Sequence, residues 1–344
     1  MAEATPPQTS SFGAPEKRYL VTGALGCIGA WIVRMLVTRS TPVVAFDQAT
    51  DVRRLRQIMS DEELAAVKFV EGDVTDPSAL ERVLDEHGIT NVIHLAALQT
   101  PGAAAKPLLG AHINVVGTVA VFEAARRRRD IVRQVDYASS IAMFVTGDVD
   151  PVSHRLEADA VPHPVTHYGV WKQANEGTAR VTWLEGGVSS VGFRLPVIYG
   201  VGRDQGLTSD ATKAIVAAVL GRHYRIGFGG CALLSYVDDA ARAFIVASQT
   251  PLTGAHVFNL GGTSLHMSEV VAAIEHVLPE AGGLITFEGP TLSFPDAWAV
   301  DSQQALGPLP VTPLAVGISQ TAEILRGLAR NGRLDPAEQG LELV

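Results

Sequence analysis

The sequence predicts an α/β fold in which a doubly wound parallel sheet is joined to a smaller C-terminal lobe. The chain has 344 residues, of which 47% are apolar and 18% charged, enough for one large α/β domain and an appended lobe. In the first two hundred residues, short apolar runs alternate with longer segments of helical periodicity, which is typical of parallel βαβ units. After Gly200 this alternation weakens, and glycine and proline become frequent between the helical segments.

The predicted elements follow this alternation along the chain. Strands are predicted at residues 19–22, 42–47, 68–71, 91–95, 134–138 and 189–194. Helices are predicted at residues 26–39, 76–87, 111–129 and 166–185, and beyond Gly200 at 208–220, 237–248, 267–278 and 313–329. We therefore divide the chain into a flexible tail (1–16), a main domain (17–200) and a region that is mainly the lobe (201–335), with some of its segments returning to the core sheet.

The composition excludes several classes of protein. The net charge is −9, with 27 Lys and Arg against 36 Asp and Glu, which argues against a nucleic-acid partner. Two distant cysteines, Cys27 and Cys231, form neither a disulfide framework nor a metal-binding spacing. The first residues lack the apolar core of a signal peptide, and no uninterrupted apolar run is long enough to span a bilayer. We therefore expect a cytoplasmic protein with no nucleic-acid, membrane or metal partner.

A glycine-rich turn directly follows the first predicted strand. Residues 22–29 read TGALGCIG and lead into a helix. Gly23 permits the tight turn, Gly26 lets the backbone approach a pyrophosphate, and Gly29 lets helix and strand pack closely. The free N–H groups at the start of the helix then face the phosphates. The arrangement predicts a Rossmann dinucleotide-binding domain. Its cofactor contacts include the glycines and the residues between them, Leu25, Cys27 and Ile28.

An acidic residue at the end of the second predicted strand indicates which dinucleotide binds. Asp47 lies 18 residues after Gly29, where its carboxylate accepts hydrogen bonds from the adenosine ribose. The same charge repels a 2′-phosphate, so the sequence favours NAD over NADP. Arg53 and Arg54 are the side chains that could offset this repulsion, but they lie too far past Asp47 to be favoured.

Two further motifs carry residues suited to proton transfer. Tyr168 and Lys172 are four residues apart, which places them on one face of the predicted helix. Ser139 and Ser140 come directly after the strand at 134–138. They therefore lie at the carboxyl edge of the sheet, where ligands of open α/β folds bind.

The order of these motifs resembles that of the NAD-dependent epimerase/dehydratase family, the extended short-chain dehydrogenases. The resemblance covers roughly residues 19–329. It is carried by TGALGCIG, EGDVTD, HLAA, NVVGT, the serine pair, YGVWK, RLPVIYG and YVDDAA.

The resemblance implies a role for each matching residue. Tyr168 is the expected general base, Lys172 lowers its pKa and holds the nicotinamide ribose, and Ser140 hydrogen-bonds the reacting oxygen. The resemblance places Asn114 in a water relay to Lys172. Further cofactor contacts are implied for Asp73 and Val74 beside the adenine, and for Leu95, Ala96, Ala97 and Pro196. It also implies a homodimer through the helices at 111–129 and 166–185.

Three departures from the family pattern limit the reactions and substrates that we expect. Ile141 and Ala142 follow the serine where sugar-nucleotide dehydratases carry Asp-Glu, so water elimination is disfavoured. Val197 and Ala232 stand where nucleotide-sugar enzymes commonly have Asn and Arg against the diphosphate. Because each charge-assisted hydrogen bond is worth about 1.5–3 kcal/mol, a smaller sugar-like substrate is favoured.

Arg203, in the loop after the last predicted strand, is a candidate substrate contact. Its guanidinium could clamp a carboxylate, or it could pin the loop through Asp204 or face solvent. His154, His163 and His167 precede the tyrosine and are alternative acids or bases, although such residues are more often on the surface.

The leading hypothesis is therefore an NAD-dependent oxidoreductase that oxidises a hydroxyl of a sugar, lactone or sugar acid. The alternative is a sugar or nucleotide-sugar epimerase that keeps NAD tightly bound. A non-catalytic NAD-sensing protein is disfavoured because Ser140, Tyr168 and Lys172 are all present.

Overall fold

The computed structural model describes residues 16–153, 155–292 and 294–341. Of the predicted tail, only Glu16 lies within these ranges. The strands are β1 Tyr19–Thr22, β2 Val43–Asp47, β3 Lys68–Glu71, β4 Asn91–His94, β5 Gln134–Ser140, β6 Ser189–Leu195, β7 Val197–Tyr199, β8 Tyr224–Ile226, β9 Cys231–Tyr236, β10 Ala255–Asn259, β11 Thr263–His266 and β12 Ile285–Phe287.

The helices alternate with these strands through the first half of the chain. They are α1 Cys27–Val37, α2 Arg53–Ile58, α3 Asp61–Ala65, α4 Pro77–His87, α5 Gly102–Ala105, α6 Pro107–Ala111, α7 Gly117–Arg127, α8 His167–Gly186, α9 Asp210–Val219, α10 Val237–Gln249, α11 Met267–Val277, α12 Gln303–Leu306 and α13 Leu314–Arg330.

The central sheet has seven strands in the order β10-β6-β5-β4-β1-β2-β3. Every neighbouring pair in it is parallel. The chain therefore winds outward from β1 in both directions, which is the doubly wound Rossmann arrangement. The predicted fold class is confirmed.

Alternating side chains of the buried strands form two separate cores, one on each face of the sheet. Tyr19 and Val21 of β1 belong to the core beneath α1 and α10, whereas Leu20 belongs to the core beneath α4 and α7. This division follows from the two-residue period of a strand. Because both faces are covered by helices, the strands are apolar on both sides rather than alternating with polar residues.

The lobe contains a three-stranded sheet of order β11-β9-β7 and a pair of parallel strands, β8 and β12. Strand β7 pairs with β9 although it lies within the region 17–200, so the chain leaves the central sheet just after β6. Strand β10 and helix α10 return to the central domain, β10 as an edge strand beside β6. The sequence predicted none of the strands β7 to β12, each of which has only three to six residues.

The predicted helix at 111–129 is not continuous α-helix. It consists of α6, a π-helical turn at His112–Val116, and α7. The continuous helical stretch Pro107–Arg127 is long and apolar enough to cross a bilayer by length and composition, which the sequence analysis did not expect. Half of it is buried inside the protein, and α7 packs between α4 and α8. Val121 and Phe122 of this stretch belong to the core of the domain, whereas Leu108, Val116 and Val119 are exposed.

Candidate functional site

The glycine-rich turn forms the floor of a cleft at the carboxyl edge of the central sheet. Gly23 has a φ of 66°, and a Cβ there would lie 2.6 Å from the backbone nitrogen of Ala96. A Cβ on Gly29 would lie 2.3 Å from the carbonyl oxygen of Gly23. Both positions therefore require glycine. Helix α1 starts after Gly26 with no side-chain cap, so its first N–H groups are available to an anion.

Asp47 lies at the end of β2 and braces the turn. One carboxylate oxygen accepts a hydrogen bond from the backbone nitrogen of Leu25 at 2.9 Å, and the other accepts from Ala49 at 3.0 Å. The carboxylate is therefore held next to the phosphate-binding turn. Its charge at this position fits the predicted preference for NAD.

Arg53 and Arg54 form ion pairs within the protein. Both pair with Asp204, at 3.1 Å and 2.6 Å, and Asp204 is almost completely buried. Arg54 also donates to the carbonyl oxygens of Leu25 and Gly202. These contacts tie the loop after β7 to the glycine-rich turn. A 2′-phosphate would have to compete with a buried carboxylate for either guanidinium.

The other expected cofactor contacts lie around the same edge. Asp73 follows β3 and accepts hydrogen bonds from the backbone nitrogen of Thr75 at 2.8 Å and from Gln48 at 3.4 Å. Val74 is buried beneath Gly117. Leu95, Ala97 and Pro196 line the cleft, and the backbone of Ala96 abuts Gly23.

Ser140, Tyr168 and Lys172 line this same cleft. Ser140 is the last residue of β5 and accepts a hydrogen bond from the backbone nitrogen of Ala142 at 3.1 Å. Tyr168 is the second residue of α8 and hydrogen-bonds Ser140. Lys172 lies one turn further along; its Nζ is 5.5 Å from the centre of the Tyr168 ring and donates to the carbonyl oxygen of Ala138 at 2.7 Å.

Close packing sets the position of α8 against β5. The helix is capped by Thr166, whose hydroxyl accepts a hydrogen bond from the backbone nitrogen of Gly169 at 3.1 Å. A Cβ on Gly169 would lie 2.2 Å from the carbonyl oxygen of Ala142. Glycine at this position therefore allows the first turn of α8, which carries Tyr168, to lie directly against the chain that follows Ser140.

Burial opposes the charged form of both ionisable groups. It raises the pKa of Tyr168 to about 12, while Arg203 and the hydrogen bond from Ser140 act in the opposite direction. It lowers the pKa of Lys172 to about 8, against which the carboxylate of Glu176 acts. Among the charged side chains, Arg203 opposes this rise in the pKa of Tyr168.

The neighbouring Ser139 has a different role. Its hydroxyl donates to Glu176 at 2.6 Å, and Glu176 forms a two-point ion pair with Arg194 at 3.0 and 2.9 Å. The guanidinium of Arg194 also covers the ring of Phe144. Sequence reasoning missed Glu176 and Arg194. The signal for Glu176 was available, since it lies four residues after Lys172 on the same face of the helix.

Asn114 lies in the π-helical turn and is buried. Its amide nitrogen donates to the carbonyl oxygens of Leu98 at 3.1 Å and Gly110 at 2.9 Å, and its amide oxygen is buried without a hydrogen-bond partner in the part of the chain described. In the same part of the chain no hydrogen bond joins Asn114 directly to Lys172. A connection between them would need the water that the resemblance implies.

His94, at the end of β4, is a second buried polar residue that sequence reasoning missed. Burial lowers its pKa to about 3, so the ring is neutral. It contacts the hydroxyls of Thr22 at 2.7 Å and Thr118 at 3.0 Å, and Thr118 donates to the carbonyl oxygen of Asn114 at 2.7 Å. These contacts connect β1 and β4 to the π-helical turn, so the histidine fixes the position of Asn114.

Arg203 reaches the cleft from the lobe side. It donates to the amide oxygen of Gln99 at 2.7 Å and to the hydroxyl of Thr208 at 3.3 Å. It does not pair with Asp204, so the predicted alternative of loop pinning through that carboxylate is wrong. Asp204 is neutralised by the two arginines of α2 instead.

The remaining candidates are three histidines and two apolar residues. His163 is exposed and contacts Asp148 at 2.7 Å, and His167 stacks on Trp171. His154 lies outside the described residues. Val197 and Ala232, at the positions where diphosphate contacts were expected, are buried and apolar.

Comparison with known proteins agrees with this geometry. Residues 19–261 match the model of the NAD dependent epimerase/dehydratase family. UDP-glucuronate 4-epimerase 3 of Arabidopsis thaliana is 27% identical over 91% of this chain and 77% of its own length. UDP-glucose 4-epimerase of Azospirillum brasilense is 29% identical over 78% of this chain and 79% of its own length.

Solved structures of dehydrogenases also share the fold. A GalE-like L-threonine dehydrogenase from Cupriavidus necator, in its holo form, superimposes with a TM-score of 0.77 and 26% identity, covering 90% of this chain and 99% of that one. A partial-consensus L-threonine 3-dehydrogenase gives a TM-score of 0.80 and 25% identity with the same coverage. Relatives of both reaction types, epimerases and dehydrogenases, are thus similar to this chain.

Proposed function

Since the chain belongs to the NAD-dependent epimerase/dehydratase family, we propose that it oxidises a hydroxyl of a small sugar-like substrate, with NAD as an exchangeable cosubstrate. The observation that carries the proposal is the convergence of Ser140, Tyr168 and Lys172 in one cleft with the glycine-rich turn. A protein that only sensed NAD would not need a tyrosine base beside a serine donor.

The cleft suits the cofactor. Glycine is required at two positions of the turn, and the uncapped N-terminus of α1 offers N–H groups to a pyrophosphate. In this proposal Asp47 holds the adenosine ribose and Lys172 the nicotinamide ribose. Bound NAD supplies the hydride acceptor.

The residues of this chain supply the proton chemistry. Ser140 donates a hydrogen bond to the reacting oxygen and holds it beside Tyr168. Tyr168 takes the hydroxyl proton as the carbinol C–H bond breaks and its electron pair leaves as hydride, giving a carbonyl product. Ser140 and Arg203 both favour the ionised tyrosine that this step requires, because each lowers the pKa of Tyr168.

The lobe side of the site favours a small substrate. Val197 and Ala232 are apolar and buried, so neither position offers a donor to a diphosphate. Ile141 and Ala142 lack the acids that water elimination needs. These features support oxidation of a free sugar, lactone or sugar acid over conversion of a nucleotide sugar.

Epimerisation is the second candidate, and the named epimerases among the relatives favour it. The same Ser140, Tyr168 and Lys172 would then oxidise a carbon and allow hydride to return to its opposite face. The two reactions differ in whether the cofactor leaves the enzyme between turnovers.

A substrate screen with a matched variant tests the proposal. Purified protein is incubated with NAD and a panel of sugars, lactones and sugar acids, and NADH is followed by absorbance. We expect NADH with at least one compound, and Tyr168→Phe should lower kcat by about 10²–10⁴-fold, typical for loss of a general base, with NAD affinity nearly unchanged. Normal turnover by the variant would remove Tyr168 from the mechanism.

A further inference from the structure

The cleft contains a half-buried positive charge that no acidic side chain of the described residues neutralises. Arg203 donates to two neutral groups, Gln99 and Thr208, and no carboxylate lies within ion-pair distance of its guanidinium in the described ranges. Its Nε atom is buried and has no hydrogen-bond partner there. Because Arg203 lines the cleft without an acidic partner, its charge attracts an anionic ligand to this side of the cleft.

The protein holds this guanidinium in place by contacts on both sides. Gln99 follows β4, and Thr208 precedes α9, so the two partners come from the main domain and the lobe. The adjacent Asp204 is locked between Arg53 and Arg54, which fixes the loop. The carboxylate nearest in sequence to Arg203 is thus neutralised by other cations and leaves the charge of Arg203 to a ligand.

Gln99 and Thr208 both accept hydrogen bonds from Arg203, and each keeps a hydrogen-bond donor for a ligand in the cleft. Thr208 accepts from Arg203 through its oxygen, and its own hydroxyl proton can be donated to a ligand. Gln99 likewise uses its amide oxygen for Arg203 and keeps two amide hydrogens. All of these residues line the cleft with Ser140 and Tyr168, and Leu207 and Phe294 add apolar walls.

We propose that Arg203, with Gln99 and Thr208, binds a carboxylate of the substrate, so that the enzyme acts on a hydroxy acid rather than on a neutral sugar or lactone. The proposal rests on the proposed function and narrows it to acids. The planar fork of arginine matches a carboxylate in two-point geometry. Because Arg203 lines the same cleft as Ser140 and Tyr168, a carboxylate bound to it lies near the carbon that is oxidised.

The pyrophosphate of the cofactor is another source of an anion. Burial raises the pKa of Cys27 to about 12, and Arg203 acts in the opposite direction, so the charge of Arg203 also acts at the phosphate-binding turn. The N–H groups at the start of α1 are available to bind the pyrophosphate. On the side of the cleft formed by Leu207 and Phe294, Arg203 is the one cationic side chain among the described residues. The geometry therefore favours the substrate.

Binding to the NADH complex tests the assignment without requiring turnover. The probes are matched pairs of equal chain length: glycerate and glycerol, erythronate and erythritol, gluconate and glucitol. Each is titrated calorimetrically into enzyme saturated with NADH. For at least one pair we expect the acid to bind about 10- to 100-fold more tightly than the polyol, the typical value of one charge-assisted hydrogen bond.

Substitutions of Arg203 test whether this residue causes the tighter binding of acids than of polyols. Arg203→Ala should abolish it, Arg203→Lys should retain part of it, and Arg225→Ala, which changes an exposed arginine of the lobe, should leave it intact. NAD affinity should change less than twofold in Arg203→Ala. Equal binding of acids and polyols overturns the inference, as does a loss of NAD affinity in Arg203→Ala, which would assign the guanidinium to the pyrophosphate.

The outcomes separate this inference from the proposed function. If acids bind through Arg203 but no compound yields NADH, the carboxylate site stands and the dehydrogenase reaction fails. If NADH forms equally from acids and polyols, the dehydrogenase reaction stands and the carboxylate site fails.

Discussion

Lys172 is a buried ammonium whose charge depends on its surroundings. Burial lowers its pKa to about 8, and the carboxylate of Glu176 limits that fall. Glu176 is itself fixed by Ser139 and by a two-point ion pair with Arg194. The lysine was evident from its spacing to Tyr168, but this supporting network was not, because Arg194 comes from a different strand and meets Glu176 only in the folded protein.

Replacing Glu176 by Gln should move the alkaline limb of the pH profile to lower pH. Lys172 must be protonated to act, and removing the carboxylate lowers its pKa further, so activity is lost at a lower pH than in the unchanged enzyme. The measurement is kcat/KM against pH at saturating NAD. Glu86→Gln, an exposed change in α4, is the control. An unshifted alkaline limb in Glu176→Gln would show that Glu176 does not act on Lys172.

At the scale of elements, the turn between β1 and α1 was the most predictable part of the site. Its glycines are required by close backbone contacts within one short segment, so their spacing alone identifies them. The π-helical turn at His112–Val116 was not predictable in the same way. It depends on Asn114, His94 and Thr118 meeting across the sheet edge, and such contacts leave no periodic pattern in the sequence.

A pair of glycine-to-alanine changes tests the role of the turn. A Cβ on Gly29 would lie 2.3 Å from the carbonyl oxygen of Gly23, so Gly29→Ala should weaken NAD binding and destabilise the protein, with overpacking typically costing about 1–3 kcal/mol. Gly327 lies in α13 with no atom within 4 Å of a Cβ, so Gly327→Ala should stabilise by about 0.5–1 kcal/mol. Thermal unfolding and NAD titration measure both. Unchanged NAD affinity in Gly29→Ala would contradict the close-packing argument.

At the scale of the whole molecule, the alternation of predicted strands and helices was enough to predict the topology and the position of the cleft. It was not enough to predict where the lobe begins. Strand β7 is a three-residue segment that pairs with β9, more than thirty residues later in the chain. Its sheet is set by that distant partner, which local sequence cannot reveal. The surface formed by α7 and α8 is also a property of the whole fold, and it exposes the apolar residues Val119, Val181 and Leu184.

We propose that this surface joins two copies of the chain. In a dimer formed there, Val181→Glu would bury a new carboxylate in a groove lined by Glu123, Arg126 and Glu185, where Arg126 is already paired with Glu123, so the variant should be monomeric. Light scattering after size-exclusion chromatography measures the mass of each species. Val152→Glu, at an 87% exposed position elsewhere, should leave the mass unchanged. A monomeric unmodified protein, or a dimeric Val181→Glu, would exclude this interface.

The fate of the cofactor is the most direct test of the proposed reaction. The purified protein is denatured, the chain is removed, and the released dinucleotide is quantified per subunit. An oxidoreductase that exchanges NAD should release far less than one equivalent and should bind added NAD reversibly. Near-stoichiometric NAD that survives purification would contradict the account and establish a retained cofactor, as an epimerase requires.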